Sequence, residues 1–171
     1  NSAKDPLWRA KVSHEILVNP MHQIALEDKC TSCHAPQGRF TAIHDGAPSY
    51  SIADMIGDSV ALDGVACGAC HQQYDTLIGK LNSGNLIYDT TKTVYGPYGN
   101  PFAGPMQSFI GFNVEYGAHI ANAGLCAGCH TLITNTVDLA GNFTGDVFVE
   151  QATYHEWVNS DFNNEVNPNG I

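Results

Sequence analysis

Apolar positions at helical spacing open the chain, in the segment "LWRAKVSHEILV". Asp5 followed by Pro6 has the form of an N-cap and a first-turn proline, so a helix is predicted to begin at residue 6. One stripe of this helix collects four side chains that are predicted to face the core: Leu7, Ala10, His14 and Leu17. Asn19 and Pro20 repeat the start signal, which predicts a second helix over "MHQIALEDKCTSCH".

Apolar periodicity weakens after the second helix, and turn residues become frequent. Residues 35–50 are predicted to be loop, and residues 51–57 a short helix. Asp63 is predicted to cap a helix that carries "VACGACH", and residues 74–82 are predicted to be helical. The run "VYGPYGNPFAGPMQSF" is rich in glycine, proline and aromatic residues, and we expect it to be irregular.

The last third of the chain returns to regular patterns. A helix is predicted through "AHIANAGLCAGCHTL", and a final helix over "QATYHEWVNSDF". Between them, "TVDLAGNFTGDVFV" alternates as a β-hairpin does, with its turn near Gly141 and Asn142. The pattern as a whole predicts a mainly α fold with much irregular loop, built from short helices and one β-hairpin.

All six cysteines lie in three copies of one pattern, Cys-x-x-Cys-His. The copies are Cys30, Cys33 and His34 in "KCTSCHAP", Cys67, Cys70 and His71 in "ACGACHQQ", and Cys126, Cys129 and His130 in "LCAGCHTL". Random placement of these residue types would give roughly 0.01 such pentapeptides. The pattern therefore reflects a chemical requirement that each copy meets separately.

Three kinds of site use such cysteine pairs: a zinc ion, a disulfide and a covalently attached haem. Zinc takes four ligands, so three cysteine pairs do not divide evenly into zinc sites. Zinc also gives no reason for the histidine that directly follows each second cysteine. A disulfide, structural or thioredoxin-like, leaves the histidines unexplained. Haem c explains every position, because cysteines three apart share a helix face and the next histidine becomes the proximal iron ligand. The sequence therefore predicts three haem c groups, stacked as the core around which the helices wrap.

Each haem iron has a sixth coordination position, which a second histidine or a methionine can fill. Five further histidines are candidate iron ligands: His14, His22, His44, His119 and His155. His22, His44 and His119 rank first, because each lies close enough along the chain to a motif to reach an adjacent haem. His14 and His155 follow, with simple packing as the alternative. The three methionines are expected to fill the core.

Length and charge limit the classes of function. Residues 1–171 have the length of one domain, so we expect a single three-haem domain. The formal net charge of −10 disfavours nucleic-acid binding, which needs a basic face. Residues 1–40 carry five basic and four acidic groups, a net charge of +1, whereas residues 41–171 carry −11. This asymmetry is either accidental or the mark of a basic N-terminal segment that docks onto an acidic neighbour.

The location of the protein follows from haem attachment rather than from composition. No run of 18 apolar residues occurs, so no membrane span is predicted. The sequence starts at Asn1 without a methionine. Because c-type haems are attached outside the cytoplasmic membrane in bacteria, we expect a mature, exported protein in the periplasm, outside the cell or at its surface.

Several stretches resemble a family of multihaem c-type cytochromes, distantly akin to the group that includes hydroxylamine oxidoreductase and the pentahaem and octahaem reductases. They are "EDKCTSCHAP", "LDGVACGACHQ", "YGPYGNPFAGPMQSF", "YGAHIANAGLCAGCHTL" and "FVEQATYHEWVNS". They fall between residues 6 and 162. The resemblance implies that His44 and His119 are distal ligands. It also implies a further haem motif after "EVNPNGI", so we expect this chain to be part of a longer multihaem polypeptide.

Two functions from different classes fit these observations. The favoured one is an electron carrier, not an enzyme, that exchanges electrons with redox proteins or with copies of itself in a head-to-tail oligomer or filament. The alternative is a redox enzyme, or its electron-entry module, acting on small nitrogen or sulfur oxyanions. An enzyme needs an open iron position with acid–base groups beside it, and no such pocket is evident from the sequence.

Overall fold

The computed structural model describes residues 2–165. About 48% of these residues are helical and 15% lie in strands, which form two small sheets. The fold is therefore helix-rich, as expected, but it is mixed rather than mainly α, and it has one sheet more than predicted. Residues 166–171, after which the resemblance places a further haem motif, lie outside the described residues.

The helices and strands follow one another in short segments. The α-helices are α1 (Pro6–Val18), α2 (Gln23–His34), α3 (Pro36–His44), α4 (Ile52–Gly57), α5 (Cys67–His71), α6 (Gly104–Ile110), α7 (Gly124–His130) and α8 (Thr153–Val158). The strands are β1 (Thr93–Gly96), β2 (Asn113–Tyr116), β3 (Leu132–Val137) and β4 (Phe143–Gln151). Within residues 2–165, short 3-10 turns lie at Ser2–Lys4, Pro20–His22, Ala61–Asp63 and Ala118–Ala121.

The chain divides into two compact units. Of the residues that the structure describes, the first unit contains residues 2–69 together with Thr136–Gly145, and the second contains Cys70–Asn135 and residues 146–165. The boundary after Ala69 falls inside α5, so Cys67 belongs to the first unit and Cys70 to the second.

Helix α1 begins where the sequence predicts. The carboxylate of Asp5 accepts a hydrogen bond from the backbone N–H of Trp8 at 2.7 Å, and Pro6 occupies the first turn. The predicted inward stripe is wrong, however. Leu7 and Leu17 are each 79% exposed and the His14 side chain is 66% exposed, whereas Val12 is buried.

The inward face of α1 is set by a different pair. Trp8 packs against the core of the first unit, and Val12 lies one turn further along the same face. This face is turned away from the Leu7 stripe because successive residues advance by about 100° around a helix of 3.6 residues per turn. Periodicity therefore located the helix correctly but not the side that packs.

The predicted loop over residues 35–50 is also wrong in part, because Pro36–His44 forms α3. Two contacts hold this helix in place. Gly38 is buried directly against Ala61, and the guanidinium of Arg39 donates to both carboxylate oxygens of Asp28, at 3.1 and 2.7 Å. These partners, Ala61 and Asp28, lie outside the segment. The turn residues Gly46 and Pro48 therefore did not indicate that a helix precedes them.

The core of the first unit is small. It consists of buried Ala3, Ala35, Tyr50, Met55 and Ala61, and the partly buried Trp8, Ala42 and Ile52 pack against it. Helix α4 beside it, predicted over residues 51–57, begins at Ile52. The preceding residue, Ser51, is its N-cap and forms a reciprocal capping box with Asp54. Asp63, predicted to cap the helix of the second motif, ends a 3-10 turn instead, and that helix begins at Cys67.

In the second unit the run expected to be irregular contains regular elements. Strand β1 pairs in parallel with β2, in the register Thr93↔Asn113 to Gly96↔Tyr116, and α6 lies between them in sequence. Conversely, the helix predicted over residues 74–82 is absent and the segment forms turns. Leu77 and Gly79 have φ of +63° and +77°, which a right-handed helix does not allow.

The third motif sits on a shorter helix than predicted. The predicted continuous helix over residues 118–132 is broken, because Asn122 is extended and its side-chain oxygen accepts the N–H of Gly124 at 2.7 Å. A new helix, α7, starts at Gly124. After α7, β3 and β4 form the predicted hairpin, and Asp138 closes its turn by accepting the N–H groups of Ala140 and Asn142.

Candidate haem-attachment sites

Each of the three Cys-x-x-Cys-His motifs lies on an α-helix, and each motif histidine is the last residue of its helix. The helices are α2, which ends at His34, α5, which ends at His71, and α7, which ends at His130. Residues three apart on a helix lie on the same face, so both thiols of a pair point to one side. Cys67 and Cys126 are exposed and the other four cysteines are half-buried. This is an arrangement that two thioether bonds to one porphyrin require.

The imidazole of His34 is held by the N-terminal segment. Its Nδ1 lies 3.3 Å from the carbonyl oxygen of Ser2, the Ser2 hydroxyl donates to the carbonyl oxygen of His34 at 2.8 Å, and the Trp8 ring stacks on the imidazole at 4.2 Å. A carbonyl oxygen only accepts, so Nδ1 carries the proton and Nε2 keeps its lone pair. Burial lowers the pKa of His34, opposed by the Ser2 carbonyl and Asp5. A neutral ring with a lone pair on Nε2 is the form that binds a metal.

His71 is held in the same way by a different segment. Its Nδ1 lies 2.6 Å from the backbone carbonyl oxygen of Tyr95, so this nitrogen donates and Nε2 again keeps its lone pair. Backbone carbonyls commonly accept the second ring N–H of metal-bound histidines, which fixes the tautomer and the orientation of the ring. Two of the three predicted proximal histidines therefore have a hydrogen bond of the kind that metal-bound histidines commonly make.

The third motif is fixed mainly through the backbone of α7. The N–H of Gly79 donates to the carbonyl of Gly124 at 3.1 Å, and the N–H of Gly84 donates to that of Gly128 at 2.8 Å. A Cβ at Gly128 would lie 2.4 Å from Leu86 Cδ2, so any other residue here would require the Leu86 side chain to move. His130 itself is exposed at the end of the helix.

The five predicted distal ligands lie in different surroundings. His119 is buried, with Nε2 2.9 Å from the carbonyl oxygen of Gln73, and Nε2 of His22 lies 2.8 Å from that of Gly141. Iron ligation through Nε2 would replace these two hydrogen bonds. His14, His44 and His155 are exposed, and His44 stacks on Phe40 at 5.8 Å. The ranking of the distal histidines stays a prediction.

Among residues 2–165, no three or more His, Cys, Asp and Glu side chains cluster in a way that would hold a metal ion. A haem iron needs fewer protein ligands than such a site, because the porphyrin supplies four ligands and the chain only one or two. The donors present, a histidine in each motif and further histidines elsewhere, are of the type that fits haem.

Apolar surface is abundant, which also fits large apolar cofactors. The side chains that are more than 70% accessible include Leu7, Leu17, Ile24, Phe102 and Phe109. Covering apolar surface stabilises a protein by about 25 cal/mol per Å².

Sequence reasoning missed one buried polar cluster, centred on Asp89. The carboxylate of Asp89 accepts the hydroxyl of Tyr95 at 2.8 Å and both the N–H and the hydroxyl of Thr91, at 2.5 and 2.6 Å. Burial raises the pKa of Asp89, but these hydrogen bonds outweigh it and hold the pKa below its ordinary value. Burial and the Asp89 carboxylate together raise the pKa of Tyr95. The aspartate is thus a buried, ionised hydrogen-bond acceptor, a role that its place in a turn-rich segment did not signal.

The second unit also contains a cavity of about 640 Å³ that the sequence did not reveal. Its lining includes Tyr74, Asp75, Tyr95, Tyr116 and His119. These side chains can donate or accept protons, and the cavity is of a size that small ligands occupy.

Comparisons with protein-family models, with curated proteins and with solved structures found no match. In the part of the chain that the structure describes, no helix has the length and apolar character needed to cross a membrane.

Proposed function

We propose that this protein transfers electrons through three covalently attached c-type haems. The observation that carries the proposal is the recurrence of Cys-x-x-Cys-His at three helix ends, combined with the backbone hydrogen bonds at Nδ1 of His34 and His71. Those bonds leave Nε2 of both histidines available to iron. A disulfide site gives no reason for this orientation of the imidazoles. A zinc site would use it as well, but zinc takes four ligands and three cysteine pairs do not divide evenly into sets of four.

The residues have distinct roles in this proposal. Cys30, Cys33, Cys67, Cys70, Cys126 and Cys129 anchor three porphyrins as thioethers, and His34, His71 and His130 are the proximal iron ligands. When bound, haem supplies a one-electron iron couple. Distal histidines, drawn from His22, His44, His119, His14 and His155, complete the irons and hold their potentials low.

The partners are redox proteins or further copies of this chain. The N-terminal 40 residues carry a net charge of +1 and the rest −11, so a head-to-tail contact would bring unlike surfaces together. His14 is exposed on α1 between exposed Leu7 and Leu17, where a neighbouring chain can reach its imidazole. We place the protein outside the cytoplasmic membrane, where c-type haems are attached.

Mass spectrometry of the denatured, natively matured protein tests the proposal. Thioethers survive denaturation, so the chain should weigh three haems more than its 18.4 kDa polypeptide and keep its haem colour. A variant with Cys126 and Cys129 both changed to Ser should lose the mass of one haem, and Ser32→Ala should lose none. Haem that extracts into acidic organic solvent would show that no thioethers exist and would refute the proposal.

One observation favours the second candidate, a redox enzyme. The cavity of the second unit places Tyr74, Tyr95 and His119 around one space, and an enzyme acting on small oxyanions needs such proton donors. Carbon monoxide titration of the native, reduced protein separates the candidates. Binding at one haem per chain favours the enzyme, and no binding favours the carrier.

A further inference from the structure

Tyr95 contacts both histidines that the second unit holds near the second motif. Its backbone carbonyl oxygen accepts Nδ1–H of His71 at 2.6 Å, and its ring meets the His119 ring edge-on, with centroids 5.1 Å apart. One residue therefore touches a proposed proximal ligand through its main chain and a proposed distal ligand through its side chain.

The hydroxyl of Tyr95 is anchored to a buried charge. It donates to the carboxylate of Asp89 at 2.8 Å, and Asp89 is only 5% exposed. Hydrogen bonds to an ionised acceptor are shorter and stronger than those between neutral groups. Because Thr91 donates to the same carboxylate, Asp89 is itself fixed, and so is the Tyr95 ring.

The main chain closes the connection between these groups. The N–H of Asp89 donates to the carbonyl of Gln72 at 2.7 Å, directly after His71 in the sequence. The carbonyl of the next residue, Gln73, accepts Nε2–H of His119 at 2.9 Å. The main chain therefore links Asp89 to the segment that follows His71. It links Asp89 to His119 only while Nε2 of His119 keeps this hydrogen bond and is not bound to iron.

Gly117 lies against both His119 and Tyr95, with no room for a side chain of its own. A Cβ at this position would lie 2.5 Å from His119 Cε1 and 2.9 Å from Tyr95 Cβ. The backbone holds Gly117 there, since its N–H donates to the carbonyl of Gly96 at 2.9 Å at the end of the β1–β2 pairing. The placement of Tyr95 against His119 is thus built into the parallel sheet.

We propose that Tyr95, anchored by Asp89, is a positioning residue that tunes the haem of the second motif and leaves the other two haems unchanged. This inference rests on the proposed function. A carbonyl that accepts Nδ1–H makes the imidazole a stronger electron donor to iron and lowers the reduction potential. Loosening Tyr95 weakens that hydrogen bond, so the potential of this one haem rises.

The test compares Tyr95→Phe with the wild type and with Tyr98→Phe, which removes a hydroxyl from the same segment at a position 74% exposed. Redox titration and electron paramagnetic resonance are measured on the intact, haem-loaded protein. In Tyr95→Phe we expect one of three potentials to rise and one of three low-spin signals to change its g values, with Tyr98→Phe matching the wild type. Asp89→Asn, which keeps the side-chain shape but not the charge, should alter the same signal.

The outcomes separate this inference from the proposed function. Three haems by mass with unchanged potentials and signals in Tyr95→Phe and Asp89→Asn would overturn the positioning role and leave the carrier proposal standing. An equal shift of all three haems would indicate general loosening and would also overturn it. If Tyr95→Phe does not fold, Asp89→Asn decides between the same outcomes. Absence of covalent haem in the wild type would overturn both.

Discussion

Gly38→Ala should destabilise the first unit, although the change from glycine to alanine ordinarily favours a helix. The new Cβ would lie 2.5 Å from Ala61 Cβ, 2.7 Å from Asp58 Oδ2 and 2.8 Å from the Tyr50 hydroxyl. Ala61 Cβ can move only if its backbone moves. The Tyr50 hydroxyl donates to the Asp58 carboxylate at 2.9 Å, so moving either of these two side chains would disturb their hydrogen bond. Overpacking of this kind costs about 1–3 kcal/mol, against a helix-propensity gain of about 1 kcal/mol.

We expect a net loss on the order of 1–2 kcal/mol in the free energy of unfolding, because three atoms are crowded at once. For a chain of this length each kcal/mol lowers Tm by about 2–4 °C. Gly57→Ala is the matched control, since no atom of the described residues lies within 4 Å of a Cβ built there. Urea unfolding followed by circular dichroism, with all variants at equal haem content, measures the difference.

A Gly38→Ala variant as stable as the wild type or as Gly57→Ala would refute this expectation. That result would mean that the 3-10 turn carrying Ala61 moves without cost. Close packing against Ala61 would then not be what holds residues 36–44 in a helix. Because α3 ends at His44, a displaced helix should also disturb any haem that His44 ligates.

Three further predictions follow from the histidines and the buried aspartate. His44→Ala and His119→Ala should each turn one low-spin haem high-spin and open it to carbon monoxide; two variants that stay fully low-spin would contradict the ligand ranking. The folded-state pKa of Asp89 is lowered, so its stabilisation is present above the ordinary value of about 3.9 and lost as the pH falls through the folded value. The stability difference between wild type and Asp89→Asn should therefore be larger at pH 7 than at pH 3, and an equal difference at both would contradict it. Sedimentation of the native protein should show assemblies that His14→Ala weakens, whereas a strict monomer with all three haems ligated from within the chain would exclude the head-to-tail contact.

Short-range signals predicted the parts of the site that are local in sequence. The three motifs are complete within five residues each, and a helix places their cysteines on one face whatever packs around them. The cap at Asp5 and the hairpin turn at Asp138 are equally local, because side-chain oxygens there satisfy N–H groups only two to four residues away. The hydrogen bonds at Nδ1 of His34 and His71 could not be predicted from such local signals, because their acceptors lie 32 and 24 residues away in the sequence.

The sequence by itself determined where helices carry the cysteines and which histidines follow them, because that chemistry repeats at fixed spacing. Only the tertiary structure decided which face of α1 turns inward. Trp8 packs against the core and Val12 on the same face is buried, whereas the face that carries Leu7 is exposed. It also decided that residues 36–44 are helical, through contacts of Gly38 and Arg39 with distant partners. The hydrogen-bonded cluster around Asp89 was likewise decided only by the tertiary structure. A lone aspartate in a turn is ordinarily solvated, and only long-range burial gives its carboxylate the hydroxyl of Tyr95 as a partner.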